Sequence, residues 1–334
     1  MRVLGASGAT LAIHQAHNMS SNAGFTCIDG TTIAAYGGSG RWGGIKMLMG
    51  DASQMPLVWS GPPEVVLTGT YETSGCMDHF FYDACAFDSK ISMLSWGGRQ
   101  LLFARANMCR TGGGRYVQVA SGTPDGRSFE RFRTLRIDGM TRELDTNCDD
   151  NIYFFVPIVV RDTLVSLFPA VLDSTRNESG IFCTTSVDEA ALYWSTPQLV
   201  MHSSGDHVRV RDWPVDVQPA EVVGASDGNT VTIRFIVQHA IYLHHNHIVS
   251  SCSATYAATG GPHLCEYHVP VDVTSSVPVC TQLAEQLASA PASPEEWAAN
   301  QEAAEDCELN VNGEMDGMTH DNPDDIRPAR HLQT

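Results

Sequence analysis

A chain of 334 residues, 43% of them apolar, can bury a large core, and its length admits one large domain or two ordinary ones. No stretch approaches ~18 consecutive apolar residues, which excludes a helical membrane span. The formal net charge is −18, and no basic face is visible that would suit a nucleic-acid phosphate backbone, so DNA and RNA are discounted as partners.

The N-terminal stretch "MRVLGASGATLAIHQAHN" has one Arg and a broken apolar run, a poor signal peptide; the expectation is a cytoplasmic protein unless the N-terminus is truncated. Its Gly5 and Gly8 resemble the start of a dinucleotide-binding turn, but no third Gly and no βαβ alternation follow, so no cofactor is expected. From residue 25 to about 273 the pattern is β. The runs 99–107, 114–121, 151–160, 162–172, 179–186 and 229–243 are rich in Val, Ile, Phe, Tyr and Thr, and Gly, Asp, Asn and Pro clusters separate them. Ten cysteines are scattered without C-x-x-C or zinc spacing. Several lie in strand-like apolar runs, where free, buried thiols are expected ahead of disulfides.

One piece of sequence recurs. "DASQMPLVWSGPPEVVL" (51–67) and "TSVDEAALYWSTPQLVM" (185–201) share small polar residues, an apolar run and Trp-Ser-x-Pro; "ASGTPDGRSFERFRTLRI" (120–137) is a weaker copy with Phe129 at the Trp position. The aromatics Trp59, Phe129 and Trp194 are 70 and 65 residues apart, room for about four strands plus loops, which is one propeller blade. In such a unit the repeat is the turn between a blade's outer strands, closed by short Ser and Asp side chains and by Gly126 at positive φ. The expected fold is therefore all-β: a β-propeller, with five four-stranded blades the chosen count, over residues 1–275. A short helical segment (276–308) and a disordered acidic tail (309–334) come after it; residues 276–334 hold 12 Asp and Glu against Arg327 and Arg330.

With "SGTPDGRSF", "SVDEAALYW", "FDSKIS", "FARAN" and "DDNIYFF", residues 15–270 resemble the five-bladed β-propeller glycosidases (invertase-, arabinanase- and xylosidase-like), with turns similar to those of sialidases. The invertase "NDPNG" and "RDP" signatures are absent; only "VRDWP" comes near. The resemblance implies a carbohydrate ligand and Asp acid/base chemistry in a central funnel, at the start of each blade's innermost strand. Asp88, Asp150 (or its neighbour Asp149) and Asp212 fall there, each with a turn or cap aspartate as the alternative reading. Glu178 is a further acid from a loop. Arg105, centred in an apolar strand, needs a polar partner and either clamps substrate or ties two blades together. His17 and Asn18 fall where the first blade's inner strand should begin. His239, His244, His245 and His247 cluster, but neighbouring strand residues face opposite ways, so no metal site is expected. Two functions remain open: a glycoside hydrolase-like enzyme, or a non-catalytic propeller binding a glycan or a protein partner.

Overall fold

The computed structural model describes residues 2–4, 10–12, 24–28, 31–37, 44–51, 53, 59–78, 85, 87, 91–111, 113–140, 143–172, 178–202, 216–217, 221–224, 228–239 and 263–288. The chain divides into two compact units, Met1–Ile241 with Leu264–Pro291, and Tyr242–His263 with Ala292–Thr334. Almost all the described residues belong to the first unit. The expected tail, 309–334, lies outside the described residues.

After a short hairpin of β1 (Arg2–Leu4) and β2 (Thr10–Ala12), the chain forms antiparallel sheets one after another. The first joins β3 (Gly24–Ile28), β4 (Thr31–Gly37), β5 (Ile45–Asp51) and β6 (Glu64–Leu67) in that order; a single helical turn, α1 (Tyr71–Ser74), comes next. The second joins β7 (Ser92–Trp96), β8 (Arg99–Asn107), β9 (Arg115–Gly122) and β10 (Arg133–Thr134), again in sequence order. After β11 (Arg136–Ile137), the third sheet contains β12 (Asp150–Ile152), β13 (Val156–Val160), β14 (Thr163–Leu172), β15 (Glu178–Thr185) and, beyond β16 (Tyr193–Trp194), β17 (Gln198–His202). Strands β12 and β13 both pair with β14, so together they form one edge strand interrupted at residues 153–155. The fourth sheet joins β18 (Asp216–Val217), β19 (Glu221–Gly224), β20 (Thr230–His239) and β21 (His263–Asp272), and α2 (Val279–Ala288) closes the described chain.

Burial explains the order. Strand β8 sends Leu102 and Ala104 to a core shared with the first sheet, and Leu101 and Phe103 to a core shared with the third. Strand β14 likewise alternates: Leu164, Phe168, Ala170 and Leu172 face the second sheet's core, while Val165 and Leu167 face a core built with Ile233 and Phe235 of β20 and Val269 and Val271 of β21. The helical spacing of Cys280, Leu283 and Leu287 brings one face of α2 into that last core. Each inner sheet is thus apolar on both sides, with the preceding sheet against one face and the following sheet against the other.

The recurring turns occupy one structural position. Trp59 bridges Gly50 at the end of β5, Phe129 bridges Gly122 at the end of β9, and Trp194 bridges Ser186 just past β15, all antiparallel. Short acidic and hydroxyl groups close each turn. Asp51 Oδ1 accepts from the Ser53 amide at 2.9 Å and its hydroxyl at 2.6 Å. Asp125 Oδ1 accepts from the Thr123 hydroxyl at 2.6 Å and the Arg127 amide at 3.2 Å. Asp188 Oδ1 accepts from the amides of Leu192 at 2.9 Å and Tyr193 at 2.7 Å. Gly126 has the positive φ its turn requires, +69°. The third copy has no Gly there, and Ala191 itself takes φ 54°, a left-handed conformation costing an L-residue roughly 1–2 kcal/mol.

The expectation of free thiols is corrected for six of the ten cysteines. Cys76–Cys85, Cys109–Cys148 and Cys183–Cys280 are disulfides, separated by 9, 39 and 97 residues. The first lies within the connection from β6 to β7, the second joins the connection after β8 to the one before β12, and the third joins β15 to α2; no local spacing announces them.

Trp194 is 1% exposed, with Phe155 and Phe103 edge-on at 4.8 and 6.3 Å, so Trp194→Ala should cost about 3–5 kcal/mol in urea unfolding. Trp59, half-buried, should cost clearly less when truncated, and equal losses would contradict this packing. The Thr123 hydroxyl, seconded by the Arg127 amide, holds the Asp125 carboxyl below its ordinary pKa. A depressed folded pKa stabilises above the unfolded value and loses that contribution as pH falls through the folded one. In Thr123→Ala the Asp125 midpoint, read by NMR, should therefore rise toward an ordinary carboxyl.

Candidate functional site

The end of the third sheet gathers acids through register alone. Asp150 opposes Leu172 across β12 and β14, and Leu172 opposes Glu178 across β14 and β15. Directly opposed residues share a face, so Asp150 and Glu178 flank Leu172 in one row. Two strand spacings put their Cα atoms about 10 Å apart. Leu172 packs into the core shared with the second sheet, so the row faces that sheet.

The second sheet answers with a polar network. Arg105 and Asn107 are two residues apart on β8 and share a face. Arg105 Nε donates to Asn107 Oδ1 at 2.9 Å, and Asn107 Nδ2 donates to Asp78 Oδ2 at 2.7 Å. Asp78 itself forms a parallel bridge with Asn107. From β9, Gln118 ties the same segments together: its Nε2 donates to the Arg105 carbonyl at 2.7 Å and its Oε1 accepts from the Met77 amide at 2.8 Å. Asp78, Asn107 and Gln118 are all buried, so each needs these bonds. Opposite Asn107, Arg115 reaches the third sheet: its backbone N–H and Nη1 both donate to Asn151 Oδ1, each at 3.2 Å, and its guanidinium stacks 5.2 Å from the centre of the Tyr153 ring.

Between the two sheets lies a narrow crevice, with room for about one water molecule, lined by Arg105, Tyr116, Tyr153, Phe154 and Phe155. The Ser92 hydroxyl donates to the Phe155 carbonyl and ties the base of the second sheet to this wall. Its lining combines aromatic side chains with one guanidinium. Among the described residues, no three His, Cys, Asp or Glu side chains converge to hold a metal ion.

Of the residues singled out from sequence, Arg105 lines this crevice, and Asp150 and Glu178 share one row at the end of the third sheet. Asp88, Asp212, His17 and Asn18 lie outside the described residues. Asp78, Asn107, Arg115, Asn151 and Gln118 escaped sequence reasoning. The i, i+2 spacing of Arg105 and Asn107 in "FARAN" could have linked those two; nothing local marks Asp78 as their partner.

No protein-family model matches the chain, and no curated protein matches it. Solved structures do show similarity. An α-L-arabinofuranosidase from Lactobacillus brevis is 9% identical at a TM-score of 0.48, with 79% of this chain and 71% of that chain covered. A thermostable family-43 glycoside hydrolase is 12% identical at 0.44, covering 67% and 66%. An N-acetylgalactosamine deacetylase from F. plautii, in complex with blood group B trisaccharide, is 11% identical at 0.42, covering 77% and 71%. These TM-scores are all below 0.5, and the reading of the fold rests on the sheets themselves.

Asn107→Leu removes the donor to Asp78 and the acceptor of Arg105 in a buried setting. It should cost about 2–3 kcal/mol in chemical unfolding, well above an exposed Asn substitution. A loss within ~0.5 kcal/mol would show that the network does not hold this end of the sheet together.

Proposed function

We propose that this chain is a glycoside hydrolase-like, carbohydrate-active propeller of five four-stranded blades, with acid/base chemistry carried by carboxyls at its mouth. The observation that carries the reading is the row Asp150–Leu172–Glu178 on the face of the third sheet turned toward the second, where β8 carries Arg105. Cα atoms about 10 Å apart on one face leave room for two carboxyls about 5–9.5 Å apart, the range used by paired glycosidase acids. One, protonated, gives its proton to the leaving-group oxygen; the other, ionised, activates water or attacks the anomeric carbon. Arg105 donates to sugar hydroxyls, and Tyr153 offers a stacking face. In this reading Asp88 and Asp212, which precede β7 and β18, take the place in their blades that Asp150 has at the head of β12, while His17 and Asn18 precede β3 in the first. The three disulfides favour an oxidising compartment over the cytoplasm as the place of action.

A second reading, a non-catalytic propeller that binds a glycan or a protein partner, is favoured by the engagement of Arg105 with Asn107, which suits a fixed recognition surface.

An aryl-glycoside screen run beside a glycan array tests both. On a substrate found there, Asp150→Asn and Glu178→Gln should each lower turnover by about a hundredfold or more, with the melting temperature nearly unchanged. Arg105→Ala should weaken binding. Glycan binding without turnover would move the second reading to first place, and silence in both assays would contradict the carbohydrate assignment.

A further inference from the structure

We propose that the Cys109–Cys148 disulfide is a redox-accessible clamp on this mouth. A thiol reductant opens it ahead of the other two bridges and so frees the start of β12, with Asp150 and Asn151, from the β8–β9 hairpin. Only the functional consequence rests on reading the mouth as a ligand site; the chemistry does not.

Two observations carry it. The first is exposure. Cys76, Cys85, Cys109, Cys183 and Cys280 are all buried, at most 6% exposed, whereas Cys148 is half-buried. Cys183–Cys280 sits within the core that α2 covers. A reductant therefore meets Cys148 first. The second is position. Cys109 lies two residues past Asn107, and Cys148 two residues before Asp150, so the bridge spans the connection between the two halves of the site. The contacts beside it are few and close: the Gly114 amide donates to the Cys148 carbonyl at 2.8 Å, the Asp145 amide to the Met108 carbonyl at 3.0 Å, and the Met108 amide to the Gly114 carbonyl at 3.0 Å. At Gly113, φ is +78° and a Cβ would fall 2.3 Å from the Cys148 carbonyl oxygen, so the two backbones touch with no side chain between them. The Arg110–Asp145 ion pair, 3.4 Å and exposed, adds little. Once the covalent tie is cut, the Gly114–Cys148 and Asp145–Met108 backbone bonds, the Arg110 amide on Asp145 Oδ1 at 2.9 Å, the Arg115 contacts with Asn151 and Tyr153, and the core shared by Tyr116 and Ile152 are left to hold the hairpin to the segment that leads into β12.

The exchange balances. A thiolate of the reductant, a monothiol such as glutathione or a dithiol, attacks Cys148 Sγ; the Sγ–Sγ bond breaks and Cys109 leaves as a thiolate that takes a proton from water. A second reductant thiol attacks the mixed disulfide and releases Cys148 as a thiol. The reductant leaves as its disulfide, oxidised by the two electrons the protein has gained.

The test is stepwise reduction of the native chain with dithiothreitol. Free thiols are alkylated and mapped by mass spectrometry, and amide exchange is measured at each step. Cys109 and Cys148 should be labelled first, with Cys76–Cys85 and Cys183–Cys280 intact. At that step the amides of Met108, Gly114 and Asp145 should exchange at least ~tenfold faster, while those of Phe103 and Phe168 stay protected. Free thiols at Cys109 and Cys148 in the untreated protein, earlier labelling of another pair, or unchanged exchange after selective opening would each overturn the proposal. Cys109→Ser with Cys148→Ser should reproduce the fast-exchanging pattern; if that variant does not fold, the reduced native chain supplies the same reading. No readout involves a sugar, so the clamp and the carbohydrate reading stand or fall separately.

Discussion

The constraint on which this structure depends is that its inner sheets are apolar on both faces. A sheet with one solvated face can stop at a single partner; β8 and β14 cannot, because alternate residues of each are buried on opposite sides. Short connections satisfy such strands when each new sheet is laid on the open face of the last. The sheets accordingly pack in chain order, and α2 contributes to the core of the third and fourth.

Polar groups then have few places to go. Those on the flanks of the sheets close turns, where Asp51, Asp125 and Asp188 accept backbone and hydroxyl donors. Those at the strand ends between the second and third sheets meet one another instead. Burial leaves Asp78, Asn107 and Gln118 little water to bond, so they pair among themselves and with Arg105, and in doing so fix that guanidinium beside the crevice. The same packing that makes the core thus orders the residues assigned to function, and the Cys109–Cys148 bridge ties the two sheets where they contribute to it.

How much is legible in the sequence varies by kind of interaction. Strand β8 coincides with the apolar run 99–107, because a buried strand bounded by Gly and Asn leaves little ambiguity. The run 151–160 reads as one strand but breaks at 153–155, where Tyr153, Phe154 and Phe155 line the crevice instead of continuing the ladder. The repeated turn is legible because short-range side-chain bonds define it, even where Ala191 replaces Gly. The disulfides, the row shared by Asp150 and Glu178, and the link from Asp78 to Asn107 are not. Each depends on register, on the path of a connection or on the packing of distant elements, and cysteine partners 9 to 97 residues apart leave no periodic trace. Arg105 stands out in the sequence for a sound physical reason, an isolated charge in an apolar strand, while the side chain its Nε meets, Asn107, is a neutral amide and not a carboxylate.

The most direct measurement is a crystal structure of a sugar complex, read for the positions of the carboxyl groups of Asp150 and Glu178. Both carboxyls should be directed to the mouth between the second and third sheets, about 5–9.5 Å apart, with the sugar between or against them. Carboxyls turned away from that mouth, or a sugar bound at another face of the sheets, would contradict the glycosidase reading.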